Sequence, residues 1–135
     1  MGNAENYLMS GNNKMLLGDY LGAIFDFTKA ILASPSLPHA YTSRASAKME
    51  LHDYEGAIED CVAAIRLHFR SEVKIDENLG TDRKLRINPI YARIYSIMGT
   101  AKLVLGKTDE AIVDLNTSRL LGNNDVVDIM KVYSK

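Results

Sequence analysis

An all-α fold is predicted for this chain: a right-handed α-α superhelix in which antiparallel helix pairs stack into a solenoid. Three observations predict it. A block of sequence recurs with an offset of thirty-four residues. Each copy holds two helical patterns divided by a turn, and a period of this length built from two helices marks a helix-turn-helix array. The composition is that of an ordinary folded domain, since 47% of the 135 residues are hydrophobic and 24% are charged.

The repeat is read directly. Gly18-Asp19-Tyr20-Leu21-Gly22-Ala23-Ile24 matches His52-Asp53-Tyr54-Glu55-Gly56-Ala57-Ile58 at five of seven positions. Asp26, Ala30 and Ile31 then meet Asp60, Ala64 and Ile65. A third copy runs from Gly106 to Ile112, with Asp114 three residues after Ala111. Upstream of each Ala stand Tyr7, Tyr41 and Tyr95, and the small residues Gly11, Ala45 and Gly99.

Each element follows from local signals. Helices are expected at about 4–17, 20–33, 38–51, 54–69, 89–105 and 108–121. Gly18 and Gly106 fall where a first helix should stop, because Gly accepts the left-handed conformation after a helix; His52 takes that place in the second copy. Asp19, Asp53 and Asp109 sit near the start of the second helices, where a carboxylate can accept from free N–H groups. Pro38 and Pro89 suit first-turn positions, after Leu37 and Asn88. A last helix at about 125–134 carries Val126, Val127, Met130 and Tyr133 on one stripe and would cap the stack. The small residues Gly11, Ala45 and Gly99 are expected to face Ala23, Ala57 and Ala111 within their own pairs. A branched side chain at Ala57 would then overpack, at about 1–3 kcal/mol.

The chain is thus expected to form one domain over 1–135, with repeats at about 4–37, 38–71 and 92–125. The spacing breaks once, between Ala57 and Ala111, so an insertion of about twenty residues is placed at about 70–89. Leu79-Gly80-Thr81-Asp82 reads as a turn. Val73 and Ile75, and again Leu85 and Ile87, alternate with charges. A solvated loop, a short β-ribbon, an extended helix and a partner contact all fit that segment.

Chemistry-bearing residues are scattered. Cys61 is the single cysteine, so no intramolecular disulfide and no multi-thiolate zinc site is expected. It takes the place that Phe27 holds in the first copy, so it reads as a buried inert thiol. His39, His52 and His68 lack metal-ligand spacing and read as surface or capping residues. Glu59 and Asp60 read as solvated surface. No phosphate-binding glycine loop occurs. No catalytic residues, cofactor or metal are therefore expected. A net charge of -1 gives no general pull toward nucleic acid or anionic lipid, and no run of eighteen apolar residues suggests a membrane span. With no signal segment among the first residues, the expected location is the cytoplasm.

The repeats resemble those of the tetratricopeptide-repeat family over nearly the whole chain. The resemblance rests on Tyr7/Tyr41/Tyr95, Gly11/Ala45/Gly99, Ala23/Ala57/Ala111 and Ala30/Ala64/Ser118. Phe27 keeps the family's aromatic position, from which Cys61 and Leu115 depart, and Pro35 ends the first repeat as the family's do, whereas Phe69 and Asn123 replace that Pro.

In such a solenoid the first helices line a concave groove. The register places Glu5, Leu8, Met9, Asn12, Met15 and Leu16 there from the first repeat. The second repeat supplies His39, Thr42, Ser43, Ser46, Met49 and Glu50. The third supplies Arg93, Ser96, Ile97, Thr100, Leu103 and Val104. The candidate peptide-binding residues are Leu8, Asn12, Met15, Ser43, Ser46, Met49, Arg93, Ile97 and Thr100. The resemblance implies a non-catalytic module holding a peptide or partner helix; the competing expectation is a self-associating subunit or homodimer. One branch of the family clamps acidic chaperone tails with Lys and Asn from the first repeat, Asn from the second, and Lys and Arg from the third. Asn12 and Arg93 are compatible with that clamp. Leu8, Ser43 and Ile97 replace its other members, so tight binding of such tails is not expected.

Overall fold

The structure, a computed structural model, describes residues 3–72 and 89–133. It contains α1 (Asn3–Leu16), α2 (Tyr20–Ala33), α3 (Pro38–Glu50), α4 (Tyr54–Glu72), α5 (Ile90–Val104), α6 (Thr108–Leu120) and α7 (Val126–Tyr133). No strand occurs among the described residues. The ribbon and loop readings of the insertion fall mostly on 73–88, outside the described residues. Its first part is helical, because α4 continues to Glu72.

The turns explain the hairpins. After α1 the Asp19 N–H donates to the Lys14 carbonyl at 2.9 Å, after α3 Asp53 donates to Lys48 at 2.8 Å, and after α5 Lys107 donates to Lys102 at 2.9 Å. These six-residue closures need one left-handed residue. Gly18 and Gly106 supply it with φ of +79° and +81°. His52 supplies it at φ +63°, stacked on Tyr54 at 5.7 Å. Asp19 and Asp53 then start the second helices by accepting from the N–H groups of Gly22 and Gly56, each at 3.0 Å. The third hairpin differs from expectation. Lys107 holds the capping position and makes no side-chain cap bond, while Asp109 lies within the first turn of α6.

Helices pack in chain order, α1 on α2 through to α6 on α7, and α3 also touches α1 and α5. The first helices therefore stand side by side along one face. In the first and third hairpins the small residue of the first helix meets a bulky residue of the second. A Cβ added at Gly11 would lie 2.5 Å from Phe27, and one at Gly99 would lie 2.7 Å from Leu115. The sequence register pairs Gly11 and Gly99 with Ala23 and Ala111. The main opposing side chain is instead four residues further on, one helical turn away. Ala45 shares the central cluster with Ala57, Cys61, Ala64, Ile94 and Met98. Val126 of α7 is buried on Leu103, Ala111 and Leu115, with Ile129 and Met130 beside it.

One ion pair recurs in each hairpin. Lys14 meets Asp26 at 2.9 Å, Lys48 meets Asp60 at 3.0 Å, and Lys102 meets Asp114 at 2.7 Å. All three aspartates are buried. Asp60 is thus no solvated surface residue: it also takes both Arg44 Nε at 2.8 Å and Arg44 Nη2 at 2.7 Å. Arg44 Nη1 donates to Thr28 Oγ1 at 3.2 Å, which ties the second hairpin to the first.

Asp26 makes a pH prediction. Burial alone would raise its carboxyl, but the Ser10 hydroxyl, donating at 2.6 Å, and the Lys14 and Lys29 ammonium groups outweigh burial and hold it below the usual range. A group with a depressed folded pKa contributes stability above its unfolded value, about 3.9, and that contribution is lost as pH falls through the folded value. The urea midpoint should lose this contribution only below about pH 4. Asp26→Asn should show a lower midpoint at neutral pH and a shallower acid decline. An acid limb as steep in the variant as in the parent would remove Asp26 as the cause.

Candidate groove of the concave face

The face shared by α1, α3 and α5 presents a hollow of about 240 Å³ lined by Asn12, Met15, Leu16, Ser43, Ser46 and Arg93. Five of these are candidate residues read from the sequence, brought together from positions up to 81 residues apart in the chain. Leu16 is largely exposed beside them. Arg93 Nη2 donates to Ser46 Oγ at 3.1 Å on the exposed side, so the guanidinium bridges the second and third hairpins. Arg93 also borders a second hollow of about 320 Å³, with Ile97, Ser96, Pro89, Ala92 and the turn at Leu121, Gly122 and Asn123. The two hollows thus meet at one cation.

The remaining candidates stand differently. Leu8 is half-buried against the cluster of Ala23, Phe27 and Ala47, and Met15 touches the same cluster from the groove side. Met49 and Ile97 pack against the central cluster. Thr100 is half-buried on α5, one turn beyond Ile97. Two residues in the wider register turn away. Thr42 is buried and donates to the Pro38 carbonyl at 3.3 Å, and Leu103 joins the core of the last hairpin. Val104 is exposed.

Three histidines and one cysteine complete the chemistry. His68 is neither a surface nor a terminal residue: it is buried within α4, edge-on to His39 at 5.6 Å and to Tyr91 at 5.5 Å. Among the described residues no group of three or more His, Cys, Asp or Glu could hold a metal ion. Cys61 is buried, and burial, with the negative Asp60 and Asp114 nearby, pushes its thiol up to about 12. Since the thiolate is the reactive form, Cys61 should resist a thiol-specific reagent at pH 8 in the native protein and react stoichiometrically in urea. Rapid labelling without denaturant would contradict this burial.

Paired helices stacked in order, with a groove built only from the first member of each pair, define a helical-repeat domain of the peptide-groove class. The chain fits a tetratricopeptide-repeat domain, with three helix pairs and a capping helix. It is similar to small glutamine-rich tetratricopeptide repeat-containing protein 2 of Saccharomyces cerevisiae, 34% identical over 109 residues, which are 81% of this chain and 26% of that protein. The chain spans about a quarter of the length of this relative and of its namesake in Mycosarcoma maydis. Among solved structures it is similar to the first such domain of Spaghetti (RPAP3) bound to the HSP90 peptide SRMEEVD, with a TM-score of 0.78 and 28% identity, covering 98% of this chain and 90% of that one. It is also similar to the second such domain of human RPAP3 in complex with the HSP70 peptide SGPTIEEVD, with a TM-score of 0.77 and 28% identity, covering 98% and 96%. No protein-family model matches the chain. No helix among the described residues is long and apolar enough to cross a membrane.

Proposed function

We propose that this chain is a non-catalytic, cytoplasmic protein-interaction module that holds an extended peptide or a partner helix in its concave groove. The observation that carries the reading is the convergence of Asn12, Ser43, Ser46 and Arg93 on one hollow with Met15 and Leu16 beside them. Apolar side chains supply contact area, and the few fixed polar groups orient a backbone or a ligand carboxylate. The two RPAP3 domains are solved with bound peptides, which supports a peptide-holding role.

The ligand's charge should differ. Leu8 and Ile97 stand where the tail-clamping branch of the family has cations, and each charged hydrogen bond contributes about 1.5–3 kcal/mol. Loss of two leaves an acidic tail at least about 100-fold weaker.

A display library of peptides, selected on the protein and rescreened on Asn12→Ala/Arg93→Ala, tests the groove. Selected peptides should lose binding to the double variant while its melting temperature stays unchanged. Equal binding would take the groove out of consideration. Titration with SRMEEVD tests the charge argument separately, and micromolar affinity would overturn it.

A further inference from the structure

The outward side of α2 is unlike its counterpart in the second hairpin. Leu21, Phe25 and Leu32 are 73%, 58% and 77% exposed, and Leu17 at the preceding turn is 83% exposed. Steps of four and seven residues align the three helical positions in one stripe. From Leu21 to Leu32 the stripe is about 16 Å long at helical rise, with Leu17 in the turn before it. Thirty-four residues later the same helical positions hold Glu55, Glu59 and Arg66, all exposed. In the third hairpin they hold Asp109, Val113 and Leu120, flanked by the exposed Glu110 and Arg119. The first hairpin therefore sets a continuous apolar row where the second sets charges, and such patches mark interaction sites.

The charges around the row choose the occupant. Asp26 is buried and paired with Lys14, with the Lys29 charge also acting on it. That leaves α2 and its cap with one outward acid, Asp19, and one base, Lys29, whose ammonium lies 4.4 Å from the Phe25 ring centre and 5.3 Å from that of Tyr7. Asp19 precedes Phe25 by six residues and Lys29 follows it by four. A strongly acidic or basic partner meets one matching and one opposing charge here. A surface reversed upon itself meets a match at both ends, which a two-fold contact requires.

We propose that this stripe is a homodimer contact, in which α2 packs antiparallel on α2 of a second copy about an axis near Phe25. The reversal sets Phe25 on the partner's Phe25, Leu17 beside the partner's Leu32, and Asp19 near the partner's Lys29. Because the contact uses the second helix of the first hairpin, the concave groove stays open in the dimer.

Sedimentation equilibrium over a wide concentration range is expected to give a monomer–dimer association. Phe25→Glu introduces the residue type tolerated at Glu59, and should weaken the dimer at least about 30-fold with an unchanged melting curve. Cross-linking tests the register without relying on that variant. Phe25→Cys should oxidise to a disulfide dimer. Leu32→Cys should not do so alone, but should cross-link when mixed with Leu17→Cys. The buried Cys61 adds little background. A monomer at every concentration overturns the proposal. So does a dimer indifferent to Phe25→Glu, or one in which Leu32→Cys alone links as fast as Phe25→Cys.

Discussion

Asp60→Asn is expected to be the most damaging single polar substitution in the protein, costing about 3–5 kcal/mol of unfolding free energy. The carboxylate is only 4% exposed and carries two cations, Arg44 in a two-bond fork and Lys48 on one oxygen. An amide of the same shape removes the charge that holds both and leaves them poorly solvated. Asp26→Asn should cost less, because Lys14 is about one-third exposed and can turn toward water. Urea unfolding of the two variants at neutral pH checks the order, with slopes matching the parent's. Replacing Asp60, Arg44 and Lys48 together by apolar residues of similar volume should recover much of the loss, since the penalty comes from stranded charge. Equal, small losses in both single variants would mean that water reaches these pairs.

That ion pair also shows where sequence reading stops. Helix pairing, turn positions and the row of first helices were legible because each rests on periodic apolar and small residues. The recurrence of Asp26, Asp60 and Asp114 was equally legible. Their burial was not, because a charged residue beside Glu59 looks solvated by composition. The missed signal is a lysine twelve residues before each one, at Lys14, Lys48 and Lys102; a repeated acid with a repeated base at fixed spacing implies a repeated contact. Within the groove, Asn12, Met15, Ser43, Ser46 and Arg93 converge as the helix register implies. Thr42 and Leu103 turn inward, because a helix turns about 100° per residue and an error of one position decides between groove and core. His68 reads as a helix end in the sequence because nothing local announces that α4 runs on to Glu72.

Phe27→Cys, the second large effect, should cost about 3 kcal/mol by emptying part of the first hairpin's core. Gly11→Ala alone should cost about 1–3 kcal/mol, because its methyl would meet a fully buried ring. The double variant should be less unstable than the sum by about 0.5–3 kcal/mol. It recreates in the first hairpin the Ala45 and Cys61 combination that the second already uses. A thermal or urea double-mutant cycle measures this coupling. Additive losses would mean that helix separation, rather than side-chain size, sets the fit.

The long connection between α4 and α5 has a practical consequence. The third hairpin docks on the second through α4–α5 and α3–α5 contacts, as the second docks on the first, although about twenty additional residues intervene. Seating is governed by the faces that meet, so the linker's length is nearly invisible to it. Doubling such a linker costs only about 0.6 kcal/mol in closure entropy. This joint is accordingly the natural graft point for a reporter, epitope or second binding element, with both flanking hairpins left in place.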